Sequence, residues 1–221
     1  YYKEFVEKLG YAKECDWVQY RMVANHGVPE KARRVADIVM QRYNLHFADI
    51  SKLKKDRKRC RDFFKVYNES FANAVYNFVP FTDEEIEEEI DSVMPFLNDK
   101  ASCILLDSKD NVVAFGISFP TISPALQKAK GKMFPFGWIH FLKAMRNYET
   151  CDLMINGAAP DWQNKGVSAV YYRAMADKAI EVGERWAISN PQIESNSAVN
   201  IWKDYEHEPF MRRRCYIKTI E

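Results

Sequence analysis

Hydrophobic positions along this chain follow two rhythms. Spacings of three and four predict helices over Tyr2 to Leu9, over the stretch after Pro29, and through Leu53, Cys60, Phe64, Tyr67 and Phe71. The same spacing recurs at Ile86, Ile90 and Met94, at Ile139, Leu142 and Met145, and over Val167 to Val182. Shorter apolar runs predict strands over Tyr11 to Met22, Ser102 to Asp107, Val112 to Phe119, Glu184 to Ser189 and Cys215 to Ile220. Punctuation agrees with this division. Gly10 ends the first helix, Ser108-Lys109-Asp110-Asn111 makes a hairpin turn, Thr82 with Glu85 forms a capping box, and Gly183 is a C-cap glycine.

One junction carries chemistry. Gly157-Ala158-Ala159-Pro160-Asp161-Trp162-Gln163-Asn164-Lys165-Gly166-Val167-Ser168 reads as a strand end, a tight turn and a helix start. The first N–H groups of a helix have no partner within it, and the helix dipole favours negative charge there, so such a turn suits a pyrophosphate. Gly166 lets the backbone approach an anion, Ser168 is small enough to leave the approach open, and Lys165 adds a positive charge.

The Gln163-x-x-Gly166-x-Ser168 spacing resembles the acyl-CoA pyrophosphate loop of the GNAT acyltransferase superfamily, Gln/Arg-x-x-Gly-x-Gly/Ala. The order of elements from about Tyr43 to Glu221 follows the same superfamily, with the hairpin as its second and third strands. The resemblance implies a mixed α/β fold with a central, mostly antiparallel twisted sheet flanked by helices. It implies acetyl-CoA or another acyl-CoA as co-substrate, held by Gly157, Ala158, Gln163, Asn164, Lys165, Gly166, Val167 and Ser168, with Ser195 and Asn196 nearby. The acyl carbonyl would be polarised by a backbone N–H near Gly157 and Ala158. The acyl acceptor would be an amine, walled by Asn68, Tyr76 and Phe78. Glu149, beside Asp152 at the start of the central strand, would be its base, and Tyr205 the acid returning a proton to the thiolate. Trp202 stands where the superfamily has Tyr, and Glu206-His207 where it has Gly-Phe. With Ser168, these departures keep open a second reading, a degenerate lobe that serves as a CoA-binding, scaffold or partner-binding module.

The first thirty residues repeat the last thirty in outline, with Leu9-Gly10-Tyr11 aligned on Tyr205-Glu206-His207. The expected organisation is residues 1–30 as the remnant tail of a first GNAT-like lobe plus linker, and residues 31–221 as a GNAT-like acyl-CoA-binding domain. The layout resembles bacterial tandem-GNAT proteins, so a first lobe would be a partner. The chain opens on Tyr1 rather than Met, and a fragment of a longer protein is expected.

Composition narrows the rest. The 221 residues are 47% hydrophobic, enough for a substantial core. A formal net charge of +1 supplies no global field toward nucleic acid or membrane, and neither partner is expected. Lys52 to Arg61 is densely basic, but apolar residues recur through it at helical spacing, so it reads as a solvated helix face. Five scattered cysteines without Cys-x-x-Cys fit reduced thiols and a cytoplasmic setting, and four histidines without ligand spacing predict no metal site. Ser123 to Tyr148 is longer than a usual strand connection. Its aromatic, glycine-punctuated middle reads equally as a lid or pocket wall, a packed surface decoration, or a contact with the missing lobe.

Overall fold

In a computed structural model the described residues are 1–72, 78–195 and 197–220. The chain opens with α1 (Tyr2–Lys8), β1 (Ala12–Val23), α2 (Glu30–Arg42), β2 (His46–Phe47), α3 (Ile50–Leu53), α4 (Arg57–Phe71) and α5 (Asp83–Ser92). The hairpin β3 (Cys103–Leu106) and β4 (Val112–Pro120) leads into α6 (Ser123–Lys128), α7 (Gly137–Arg146) and β5 (Thr150–Ala158). Then come α8 (Val167–Val182), β6 (Trp186–Ile188), β7 (Gln192–Ile193), a 3-10 segment Ser197–Asp204, and β8 (His207–Ile217).

The strands form one sheet in the order β2-β3-β4-β5-β6-β1-β7, with β8 on the other edge of β1. Every described pairing is antiparallel except β5 with β6. Helices cover both faces of its β3–β5 half. Ala36 and Val39 of α2 join Val167, Val170, Tyr171 and Met175 of α8 in one core, while Phe63 and Phe64 of α4 meet Ile86 and Ile90 of α5 in the other. β4 lies between these layers, which is why its sequence is apolar almost throughout rather than alternating.

The segment 1–30 has the expected helix and strand, and the strand is interior to the same sheet as residues 31–221. β1 pairs with β8 from Ala12↔Ile217 to Met22↔His207, and with β6 and β7 on its other edge. Asp16 fixes this seam. Its fully buried carboxylate accepts from Arg214 Nε at 2.8 Å and Arg212 Nη1 at 2.7 Å, and Lys13 lies at 3.4 Å. The Arg214 hydrogen bond, above all, holds that carboxyl well below the usual carboxylate range.

Three sequence expectations change. The last strand begins at His207 rather than Cys215, because pairing with β1 draws Glu208 to Arg214 into the ladder. The helical run from Leu53 to Phe71 is broken, since Asp49 and Asp56 each cap a separate helix by accepting the N–H three residues on. The basic and acidic helix faces are not separate wet surfaces: Arg57 and Arg61 of α4 pair with Glu87 of α5, and Arg57 also with Asp91. The capping box at Thr82 and Glu85, the α8 boundaries and the left-handed Gly183 C-cap (φ +76°) stand as expected.

Candidate functional site at the parting of two strands

β5 and β6 pair only at Thr150↔Trp186, Cys151↔Ala187 and Asp152↔Ile188. Beyond that rung β5 runs on to Ala158, while the chain after β6 turns toward β1, with Ser189 N–H donating to Tyr20 O at 2.8 Å. A bulge falls at the same level: Ser118 opposes Leu153 and Ile117 opposes Ile155, leaving Met154 as the extra residue. A bulge kinks a strand and re-aims its side chains, so the sheet opens into a wedge just past Asp152. Three buried side-chain oxygens lack a hydrogen-bond partner among the described residues, the Tyr148 hydroxyl just before β5, Asn156 Oδ1 on β5 and Asn190 Oδ1 beyond β6. Asn156 and Asn190 lie in sequence on the two arms of the wedge, Asn156 on β5 and Asn190 on the chain that leaves β6. Asn156 Nδ2 donates to the Tyr172 hydroxyl of α8 at 3.4 Å, which sets the α8 side as its face.

The turn into α8 closes one end of β5. Asn164 (φ +63°) and Gly166 (φ +81°) are left-handed, and Gly166 caps the helix, whose first-turn N–H groups belong to Val167 and Ser168. Other expected loop functions are already engaged. Gln163 Nε2 donates to Ala158 O at 3.2 Å, and Lys165 Nζ lies over the rings of Trp162 (4.8 Å) and Tyr43 (5.7 Å). A Cβ on Gly166 would stand 3.1 Å from Val39 and 3.3 Å from Val35, so this glycine also admits α2. A Cβ on Gly157 would meet Phe115 at 2.7 Å and Ser70 at 3.0 Å. Gly157 and Ala158 lie near the end of β5, farther along it than the bulge where the wedge begins. Ser195 lies in an exposed turn after β7, and Asn196 lies outside the described residues.

Across the sheet from α8 is a cleft of about 1040 Å³, bordered by Asp152, Met154, Thr121, Glu149, Asn190 and Arg21. Asp152 is half-buried and Thr121 Oγ1 donates to it at 2.9 Å. Burial raises its carboxyl above the ordinary value, and the Thr121 hydrogen bond tempers the rise. The Glu149 side chain is 75% exposed, with Arg185 at 3.9 Å. Of the two carboxylates, Asp152 has the positioned environment.

The remaining site expectations scatter. Asn68 is committed to the backbone of Phe81, donating to its carbonyl at 2.9 Å and accepting from its N–H at 3.0 Å. Phe78 packs 5.8 Å from both Tyr67 and Phe71, and Tyr76 lies outside the described residues. Asn68 and Phe78 thus stand beside the aromatic residues Tyr67, Phe71 and Phe81 rather than along the cleft. Tyr205 borders a separate, mostly apolar cavity on the α8 side, together with Trp202, Tyr172 and Glu184. Burial pushes its phenol up to about 12. Trp202 is a core residue whose Nε1 donates to Gln192 Oε1 at 2.8 Å. Leu153 borders both the cavity and the cleft. Cys151 is buried and its thiol pushed well up, chiefly by that burial, which suits an inert core cysteine. Among the described residues no cluster of His, Cys, Asp and Glu could hold a metal, and no helix is long and apolar enough to cross a membrane.

The fold is that of the GCN5-related N-acetyltransferases. The chain is similar to a GCN5-related N-acetyltransferase from Sphaerobacter thermophilus, with a TM-score of 0.62 and 10% identity over 97% of this chain and 55% of that one. It is similar also to the GCN5-related glucosamine N-acetyltransferase region of a fungal multi-domain β-N-acetylglucosaminidase, with a TM-score of 0.61 and 10% identity over 97% of this chain and 22% of that one. No family model matches the chain. In sequence it is 23% identical over 229 residues to protein YghO of Escherichia coli K12. That match takes in all of this chain and 57% of the relative, so the chain spans little more than half the relative's length.

Proposed function

We propose that this chain binds an acyl-CoA in the wedge between β5 and β6 and transfers the acyl group to an amine that enters from the cleft. The observation that carries this reading is the pair of buried, unpartnered oxygens, Asn156 Oδ1 and Asn190 Oδ1, on the two arms of the wedge. A buried acceptor without a donor costs free energy, and the amide N–H groups of a pantetheine arm are donors of the right kind. The N–H groups of Val167 and Ser168 would receive the pyrophosphate, as the first turn of a helix does for anions. When bound, the acyl-CoA supplies an activated thioester.

The chain's own part is to deprotonate and orient. Asp152 stands on the last paired rung of β5 and β6, with Thr121 fixing one of its oxygens. A carboxyl whose basicity is raised by burial is a better proton acceptor at neutral pH than an exposed one. It takes a proton from the acceptor's ammonium and leaves the neutral amine free to attack. A backbone N–H at the Met154 bulge is nearer this rung than those of Gly157 and Ala158, and is the candidate to polarise the acyl carbonyl.

Titration calorimetry with acetyl-CoA, a longer acyl-CoA and CoA tests the reading. Binding should weaken in both Asn156→Ala and Asn190→Ala, by about 1–3 kcal/mol each, the worth of a hydrogen bond made at a buried group. Absence of binding in the parent protein would overturn it. The scaffold reading draws on Lys165, which is held over aromatic rings, and on Trp202 in place of a phenol. Binding of CoA with no acylation across a broad amine panel would favour it.

A further inference from the structure

The stretch between β4 and β5 differs in charge from the rest of the molecule. From Ser123 to Tyr148 it contains Lys128, Lys130, Lys132, Lys143 and Arg146 and not one Asp or Glu, in a chain whose formal net charge is only +1. None of these five cations has an ion pair among the described residues; Lys128 and Lys143 border the cleft beside Asp152, and Lys130, Lys132 and Arg146 lie outside it. On α4, by contrast, Arg57, Arg59 and Arg61 are each paired with a carboxylate.

The same stretch presents large apolar side chains to solvent. Phe134 is 85% exposed and Phe136 69%, while Met133, Trp138, Ile139 and Leu142 are each exposed by 44–46%. Trp138 Nε1 donates to Pro135 O at 2.9 Å, so the indole is held in place by its own loop. On α7, Ile139 and Leu142, which their spacing puts on one side of the helix, are exposed to water. Removing a phenylalanine ring from water is worth far more than a surface polar contact, and solvent-facing aromatics in this number mark a contact surface.

Aromatic and aliphatic side chains interleaved with unpaired lysines and arginines, with no acid among them, match one kind of surface. A lipid headgroup layer of negative charge takes the rings into its acyl boundary and the cations onto its phosphates. A protein partner would need a large apolar patch ringed with acid, and this stretch offers nothing that selects one. We propose that the segment 123–148, with α7 lying flat and the Phe134–Trp138 loop inserted, docks this protein on an anionic lipid surface. The net charge of the whole chain conceals this because the acids of the other elements cancel it. The proposal does not depend on acyl transfer: it concerns binding to a surface, and is read without any turnover.

The test is co-sedimentation of the full chain with vesicles, of phosphatidylcholine alone or of phosphatidylcholine mixed with phosphatidylglycerol. Strong binding to the mixed vesicles, little to the neutral ones, and loss of binding as salt rises are expected. Lys132→Glu with Arg146→Glu should weaken binding to mixed vesicles about tenfold or more, because each basic residue near an anionic surface contributes about fivefold. Phe134→Ser with Phe136→Ser should weaken it comparably while leaving the melting temperature unchanged, since these rings are exposed in the folded chain. Equal binding to both vesicle types, binding to neither, or binding that both double variants retain would each overturn the proposal. So would self-association in sedimentation velocity that the Phe134 and Phe136 changes abolish, with no vesicle binding in the parent, since the patch would then be covered by a second copy.

Discussion

Asp152 and Glu149 differ by three positions in sequence and by a great deal in environment. Asp152 is half-buried, receives the Thr121 hydroxyl and has its proton affinity raised by desolvation, whereas Glu149 projects into solvent. If Asp152 is the base, the acylation rate should climb as pH rises through its raised value, since only the carboxylate accepts a proton. Asp152→Asn keeps the shape and removes that limb, lowering turnover by about 10²-fold or more while sparing CoA affinity. Glu149→Gln should leave the rate and its pH profile nearly unchanged. Steady-state kinetics over a pH series checks both, and the opposite ranking would return the role to Glu149. Nothing in the letters separates the two carboxylates, because both stand near the start of a strand. What separates them is the strand's pairing, which fixes the face each one takes. The unpartnered Asn156 and Asn190 were illegible for the same reason: an asparagine's lack of a donor is a property of its neighbours.

At the level of elements, local signals were readable and long-range ones were not. The α8 start and stop follow from glycines at positive φ bracketing an apolar periodic run, and the capping box of α5 from residues three apart. The bulge at Met154, the short β5–β6 pairing and the seating of α2 on α8 depend on residues far apart in the chain. Gly166 shows how the two kinds of information combine. Read locally, it lets an anion approach; in the fold, Val35 and Val39 also take up the room a side chain there would need. Gly166→Val should therefore weaken both acyl-CoA binding and the fold. Gly166→Ala alongside Val39→Ala makes room beside α2 while keeping the strain of a left-handed alanine. If the double variant regains thermal stability over Gly166→Ala alone, as followed by circular dichroism, steric pressure from α2 is established. No such recovery would leave only the backbone strain.

The molecule as a whole is held across its width by the buried charge at Asp16. Its folded-state carboxyl titrates below the unfolded value, so the stability it contributes is present above the unfolded value, about 3.9, and is lost as pH falls toward the folded one. Asp16→Asn should lower the urea midpoint at pH 7, leaving Arg212 and Arg214 without their shared partner. It should also flatten the dependence of stability on pH in the acid range. Urea melts from pH 7 down to about 3 measure both effects, and an unaltered acid slope would mean that other carboxylates dominate it.

Because β1 sits between β8 on one edge and β6 with β7 on the other, the sheet joins segments far apart along the chain. During synthesis the strand 12–23 emerges well before its partners at 186–193 and 207–217. It must wait with both edges open, an arrangement of high contact order that slows folding and invites edge pairing with other chains. Lys13, Glu14, Asp16 and Arg21 within that strand put charge on the waiting ribbon, and charge is the ordinary protection of an open edge. A stalled chain ending before residue 186 should therefore bind a holdase chaperone through β1, and release should follow completion of β8.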